Sequence, residues 1–172
     1  MADGVFGVEV VTPEESLLAG SATSVVLTSS DGDLTVLDGH TALVTDVVPC
    51  LARVEQPDGT TLRMALHGGF LQVDTSPGAA EGLAEGDGPL PGLSTKVTVL
   101  AGVAELADQI DVPRAQLAKE AAEARVAELS SGRGGASDVP DGDDGPGVAL
   151  VEAEAALARA DLRLSVASGS TD

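Results

Sequence analysis

Residues 30–45 read SDGDLTVLDGHTALVT, and this stretch decides the fold prediction. It holds two short apolar runs, and an Asp-Gly pair precedes each of them, at Asp31-Gly32 and at Asp38-Gly39. Asp-Gly pairs between apolar runs are strong signals for tight turns, because glycine adopts a positive φ at no steric cost. The stretch therefore predicts a turn, a short strand, a second turn and another strand.

Segments of the same kind fill the first part of the chain. They are rich in β-branched residues, and glycine, proline and aspartate separate them, as in the turn Pro57-Asp58-Gly59-Thr60. We predict strands at Val5–Val11, Ser24–Thr28, Thr41–Val48, Leu51–Glu55, Thr61–His67, Phe70–Asp74 and Lys96–Leu100. Many short strands at close spacing favour an antiparallel sandwich or barrel.

Residues 75–94 break this rhythm. They are rich in Gly, Pro and Glu and show weak apolar periodicity, which predicts a mobile loop. The entropic cost of closing a loop grows slowly with its length, so we expect the sheet to tolerate this insertion.

The last third of the chain has a helical pattern. Asp111 is a good N-cap and Pro113 suits a first turn; the first helix has its apolar face at Ala115, Leu117, Ala118, Ala121, Ala122, Ala124, Val126 and Leu129. A second helix at about 148–166 has its stripe at Leu150, Ala153, Leu157, Ala160 and Leu164. Alanine lets two helices approach closely, so the two are expected to pair as an antiparallel hairpin.

We therefore predict a mainly β plus α chain with two domains. An antiparallel β-sandwich covers residues 1–104, with the loop 75–94 inserted into it. The two-helix antiparallel hairpin covers residues 105–172, with an acidic Gly/Asp linker at 132–147.

Composition excludes several functions. The formal net charge of -19, with 28 acidic and 9 basic residues, argues against a nucleic-acid binder that neutralises phosphates. Cys50 is the only cysteine, so an intrachain disulfide and a thiolate zinc cluster are both excluded. We find neither a run of about 20 apolar residues nor a secretory signal, and therefore expect no direct membrane insertion.

Four motifs carry a resemblance to a known family. The first is the pattern GxLxVxxGHxxLxT within residues 30–45, and the others are the segment 14–20, the segment His67–Val73 as xGGxxxV, and Ile110–Ala115 as (I/L)DxxRA. In this order and spacing they resemble the epsilon subunit of bacterial F-type ATP synthase. The resemblance covers nearly the whole chain, including the order of sandwich and helical hairpin.

This resemblance implies a rotor part and a regulator without an active site of its own. The sandwich would bind the gamma subunit and the membrane ring of c subunits, and the hairpin would reach the alpha and beta subunits and restrain ATP hydrolysis. Such a chain lies at the cytoplasmic face of the cell membrane as a peripheral protein. The turns expected to face the c-ring hold Asp31, Gly32, Asp33, Gly39 and His40.

In some members of this family the (I/L)DxxRA motif is part of a site for regulatory ATP. The matching residues are Glu105, Ile110, Asp111, Arg114, Ala115 and Arg125, and Arg159 and Arg163 lie on the second helix. Arginine suits a triphosphate because its planar fork donates several charge-assisted hydrogen bonds. Ala121 stands where the family has a further arginine. The alternative interpretation is an N-cap aspartate beside solvated arginines.

Other candidate sites are weaker. His40 and His67 each lack a second metal ligand nearby in sequence, and Cys50 has no histidine base assigned to it. The acidic run 138–144 fails as an EF-hand loop, because Pro146 stands where that loop needs glycine. The competing functions are a generic β-sandwich adaptor with a helical tail and, third, a small hydrolase.

Overall fold

The computed structural model describes residues 4–80, 83–85, 88–89, 94–131 and 146–169. The chain forms two compact units, Met1–Gln109 and Ile110–Asp172. This division falls five residues after the predicted one at 104/105, because residues 104–106 form a strand of the first unit. Residues 132–145 of the predicted acidic linker lie outside the described residues.

Within the described residues the first unit is built of strands and the second of two helices. The strands are β1 (Phe6–Val11), β2 (Ser16–Ala22), β3 (Ser24–Ser29), β4 (Gly32–Val36), β5 (Leu43–Glu55), β6 (Thr61–Asp74), β7 (Ala84–Glu85), β8 (Gly88–Pro89), β9 (Lys96–Ala101) and β10 (Ala104–Leu106). The helices are α1 (Val112–Ser130) and α2 (Pro146–Ser168).

Eight of these ten strands form a continuous sheet in the order β2-β1-β9-β6-β5-β3-β4, with β10 also paired to β6. The predicted antiparallel sandwich is confirmed, with one exception in its strand pairing: β1 and β9 pair in parallel. Parallel strands need a long connection, and about 90 residues of chain separate β1 from β9.

The long strand β6 pairs with β5 over most of its length and has a different second neighbour along each of its two halves. The first half of β6 pairs with β10, and its second half pairs with β9. Gly68 and Gly69, at φ +96° and +150°, lie where the neighbour of β6 changes from β10 to β9. A Cβ at Gly69 would collide with the carbonyl oxygen of Leu100. Gly68-Gly69 is therefore a bend within one strand and not a break between two.

The core between the layers is almost entirely aliphatic. Alternate residues of each strand point inward, as Val8 and Val10 do on β1 and Leu71 and Val73 do on β6. Phe6 is also fully buried, whereas Phe70 lies on the outer phase of β6 and is exposed. The two phenylalanines therefore have different roles, which the composition alone did not indicate.

The insertion at 75–94 is not simply a mobile loop, which corrects the sequence prediction. Ala80 and Leu83 are buried, and β7 pairs with β8 as a small ribbon. Ala80 and Leu83 pack on β1 at Gly7, where an added Cβ would lie 2.7 Å from the Ala80 Cβ and 2.7 Å from the Leu83 Cδ1. The missing side chain of a single glycine makes room for this contact.

The second unit is the predicted helical hairpin. The Asp111 side chain caps α1 by accepting a hydrogen bond from the Arg114 backbone N–H at 3.0 Å. The Lys119 Nζ lies 2.8 Å from the Asp161 Oδ1, which places the first half of α1 beside the second half of α2, as in an antiparallel pair. This partner raises the pKa of Lys119, first through the hydrogen bond and then through the opposite charge.

The helix–helix contact is narrower than the sequence predicted. On α1 the buried residues are Ala115 and Ala122, two turns apart, while Leu117 is 67% exposed. The eight predicted apolar residues span more than the single stripe that one neighbouring helix can cover. On α2, by contrast, the predicted stripe is correct, with Ala153 and Ala160 buried.

Candidate functional site

The family motif in residues 30–45 forms an exposed edge of the sandwich. We call residues 30–40 the β4 edge: a turn, the strand β4, and a second turn. β4 is the last strand of the sheet order, and it pairs with β3 on one side. Along it Asp33 and Thr35 are exposed, and Leu37 beyond its end is 53% exposed.

The two predicted ring-facing turns lie at opposite ends of β4. Gly32 pairs with Ser29 at one end, and Gly39 follows the other end. The strand between them is about 13 Å long at about 3.3 Å per residue. The two turns can therefore meet one partner surface only if β4 lies along that surface.

Side-chain hydrogen bonds order the first turn. The Thr28 hydroxyl donates to Asp33 at 2.9 Å, and the Ser30 hydroxyl donates to Asp46 on β5 at 2.7 Å. Asp31 is exposed at the tip of the turn, and Gly32 has a φ of +121°. This end of the β4 edge thus carries a group of ordered carboxylates, which favours a partner with positive charge.

The second turn is shaped by backbone contacts. Gly39 has a φ of +75°, and the His40 N–H donates to the Leu37 carbonyl at 3.1 Å. The His40 Nδ1 lies 2.8 Å from the Thr41 carbonyl oxygen, to which it donates a hydrogen bond in the tautomer that has its proton on Nδ1. His40 is half-buried and acts as part of the turn.

A second exposed surface, which the sequence analysis missed, lies on β1, β9 and β6. We call it the outer face: Val11 of β1, Leu100 of β9 and Phe70 of β6 lie side by side in register. Phe70 is 59% exposed and Leu100 is 50% exposed. Together with Pro13 they line a groove of about 660 Å³. The alternation of β6 was the available signal, because the inward Leu71 puts Phe70 outside.

The two surfaces meet at Asp46. This residue pairs with Phe70 across β5 and β6, and its carboxylate accepts the hydrogen bond from Ser30 in the first turn. One sandwich therefore presents an apolar face and an acidic edge that adjoin each other. Exposed apolar groups next to a polar rim are typical of protein-binding surfaces.

The residues predicted to bind ATP are spread over both units. Glu105 lies on β10 in the first unit, and its Oε2 is 4.0 Å from the His67 Nε2. Asp111, Arg114 and Ala115 come together in the first turn of α1. There the Asp111 carboxylate caps the helix and Ala115 is buried, so both have structural roles.

The arginines of α1 lie far apart. Arg114 and Arg125 share a face of the helix, but three turns separate them by about 16 Å. Arg125 binds Glu128 at 2.8 Å. Ala121, which stands on the exposed side between them, adds no charge. Arg125 therefore lies far from Arg114 and from the rest of the motif. Ile110, the first residue of the motif, is half-buried just before the cap.

The remaining reactive groups have structural surroundings. Cys50 is buried, and its burial raises the pKa of the thiol, which makes it a poor nucleophile. The Thr28 N–H donates to its sulfur at 3.4 Å. Among the described residues, no group of three or more His, Cys, Asp or Glu side chains could hold a metal ion.

Comparison with known proteins gives the family. The description "ATP synthase, Delta/Epsilon chain, beta-sandwich domain" matches residues 5–77, and "ATP synthase, Delta/Epsilon chain, long alpha-helix domain" matches residues 108–168. The ATP synthase epsilon chain of Desulforapulum autotrophicum is 35% identical over 166 residues, which are 96% of this chain and 97% of that one. The chain belongs to the ATP synthase epsilon family.

Other similarities agree with this assignment. The epsilon chain of Symbiobacterium thermophilum is 32% identical over 173 residues, covering 100% of this chain and 97% of its own. A chain of the Euglena gracilis mitochondrial ATP synthase, solved as OSCP/F1/c-ring, matches with a TM-score of 0.61, 17% identity, and coverage of 91% of this chain and 77% of that one. At this identity the match supports the fold alone. The two domain matches leave residues 78–107, with most of the insertion, between them.

The epsilon subunit is a component of the ATP synthase complex. Among its described helices, neither α1 nor α2 is long and apolar enough to cross a membrane.

Proposed function

We propose that this epsilon subunit joins the gamma subunit to the c-ring in the central stalk, without a catalytic site of its own. One observation supports this most: a single sandwich carries two adjoining exposed surfaces of different chemistry, the apolar outer face and the acidic β4 edge. A rotor part that transmits torque needs two such attachments. It would reach the cytoplasmic face of the membrane through these partners, as a peripheral subunit.

The outer face suits gamma, because an attachment that persists through every rotation must be firm. Burying Phe70 and Leu100 removes large apolar side chains from water, and a fully buried side chain of this size contributes about 1.5–3 kcal/mol. The groove beside Phe70 gives a partner side chain a place to insert. Aromatic residues at such a position are frequent hot spots of binding.

The β4 edge suits the ring. Asp31 and Asp33 are exposed carboxylates, and complementary charge favours basic groups on the opposing loops. If β4 lies along the ring, both turns contact the ring at the same time. The contact then combines charge at the first turn with the apolar Leu37 near the second.

The hairpin supplies the regulatory part of the proposal. Among the described residues of the hairpin, the buried side chains are small, four alanines and Val166, and the ion pair between Lys119 and Asp161 is partly exposed. An ion pair in contact with water contributes little, so we infer that the two helices can separate. Arg114 and Arg125 lie on a side of α1 that does not face α2. In this proposal the hairpin reaches the alpha and beta subunits, and these arginines meet acidic groups of the catalytic head and slow ATP hydrolysis.

The attachment to gamma is tested by two matched substitutions. Phe70→Asp places a charge on the outer face and should lower the affinity for purified gamma by about 10- to 100-fold, the equivalent of about 1.5–3 kcal/mol. Leu37→Asp is the control, since Leu37 is as exposed as Leu100 but lies on the β4 edge. It should leave gamma binding unchanged. Equal binding of both variants and of the unaltered protein would refute the assignment of the outer face.

The generic adaptor, unrelated to the synthase, is excluded by the identity over nearly the whole chain. Regulatory ATP binding stays a prediction of the resemblance. What favours it here is the clustering of Asp111 and Arg114 at the start of α1. What weakens it is that Arg125 is already paired with Glu128.

A further inference from the structure

A buried threonine holds the second turn of the β4 edge from behind. The Gly39 backbone N–H donates to the Thr95 hydroxyl at 3.2 Å. This contact spans 56 residues of sequence, so the local turn sequence does not reveal it. Thr95 is only 1% exposed, although the glycine that it binds is exposed.

Thr95 is itself fixed on its other side. Its carbonyl oxygen accepts a hydrogen bond from the Gly7 N–H at 2.9 Å, one position before β9 begins. Lys96, the next residue, is tied to Glu9 of β1 by an ion pair of 2.9 Å. The Thr95 hydroxyl therefore projects from a backbone that β1 anchors directly.

The insertion packs at the same point. Ala80 and Leu83 occupy the space above Gly7, the residue whose N–H holds Thr95. A continuous path of contacts thus leads from the insertion to Gly7, from Gly7 to Thr95, and from Thr95 to Gly39. The insertion lies next to the group that shapes the turn.

We propose that Thr95 is a positioning residue that holds the Gly39-His40 turn in the conformation that contacts the ring, and that the insertion braces it. This inference rests on the proposed function, since the turn matters as a ring contact. An exposed turn with a positive-φ glycine samples other conformations readily, and a hydrogen bond to a buried hydroxyl restricts them. The first turn, at the other end of β4, has its own hydrogen bonds from Thr28 and Ser30 and does not depend on Thr95.

The test compares Thr95→Val with Thr95→Ser in the full-length protein. Valine keeps the shape of threonine but lacks the accepting oxygen, whereas serine keeps the oxygen. Amide hydrogen exchange of Gly39 should become about 5- to 10-fold faster in the valine variant and stay near its original rate in the serine variant. Exchange at Leu71, in the middle of β6, should change in neither and so reports that the fold is intact. Unchanged exchange at Gly39 in the valine variant overturns the proposal.

A second readout concerns the contact itself. In the assembled synthase, His40→Cys and Asp31→Cys are each crosslinked to the c-ring, with and without Thr95→Val. The valine change should lower the yield from position 40 several-fold and leave that from position 31 unchanged. Faster exchange at Gly39 with an unchanged yield at position 40 would also overturn the proposal. Failure of both positions to crosslink in any background would instead refute the ring contact. In that case the hydrogen-exchange data alone would decide whether Thr95 holds the turn.

Discussion

The substitution Leu83→Ala tests whether the insertion at 75–94 packs on the sandwich. The Leu83 side chain is 4% exposed and its Cδ1 reaches the space above Gly7. Truncating a buried leucine to alanine costs about 2–5 kcal/mol, and a peripheral site that can collapse belongs at the low end. We expect a loss of about 2–3 kcal/mol in the free energy of unfolding of the sandwich. If the insertion were a loose loop, the change would stay within about 0.5 kcal/mol.

The single cysteine provides the assay. The chain has no tryptophan or tyrosine, so intrinsic fluorescence is weak, but Cys50 is buried in β5 of the sandwich. Pulse labelling of its thiol across a urea series reports unfolding of this unit alone. With a slope of about 1.5 kcal/mol per M, the expected loss lowers the midpoint by about 1–2 M.

The control is Leu37→Ala, because Leu37 is 53% exposed in the same unit and should shift the midpoint little. A complementary change is Gly7→Ala, whose new methyl would meet Leu83 and Ala80 and should cost about 1–3 kcal/mol. Its cost should shrink when Leu83 is already alanine, because one of the two clashes is then gone. Midpoints of Leu83→Ala and Leu37→Ala that coincide with the original would refute the packing of the insertion.

Three further predictions concern the hairpin. Truncation after Ser130 should leave assembly intact and raise ATP hydrolysis by membranes, because an isolated α1 frays. The double substitution Arg114→Ala with Arg125→Ala should give part of that rise. Unchanged hydrolysis in both variants would mean that the hairpin is not inhibitory. In equilibrium titration with ATP, Arg114→Ala should weaken binding about 10-fold or more, and equal affinity of both proteins would remove Arg114 from a nucleotide site. The pKa of Lys119 is raised, so its ion pair with Asp161 stabilises the hairpin fully below pH 10.5, and this stabilisation is lost as the pH rises through the folded-state pKa. Lys119→Gln lacks the ion pair at every pH, so its helix content should fall less at alkaline pH than that of the original chain.

The sequence predicted the elements better than their connections. The Asp-Gly turns and the alternating strands were readable because each depends on neighbouring residues. The strand predictions stop at Val48 and at His67, yet β5 continues through Pro49 and β6 continues through Gly68-Gly69. Proline and glycine usually weaken a strand, so the local sequence did not indicate that these two strands continue. The strand β2 was missed, since its short run Ser16–Ala22 has little β-branched character.

The two exposed surfaces also differ in how far the local sequence predicts them. The acidic turns of the β4 edge were found from a local motif, whereas the outer face brings Phe70 and Leu100 together from strands separated by the insertion. Pairing of distant segments has no local signal. The same holds for the bond between Gly39 and Thr95, and for the packing of Ala80 and Leu83 on Gly7.

The most direct test of the rotor assignment is crosslinking from the β4 edge in the assembled synthase. A single cysteine is introduced as Asp31→Cys or Asp33→Cys, and the protein without either change, with Cys50 buried, measures the background. In the proposed arrangement the β4 edge faces the ring, so we expect crosslinks to a c subunit from both positions. Crosslinks that form only with alpha or beta would contradict this account.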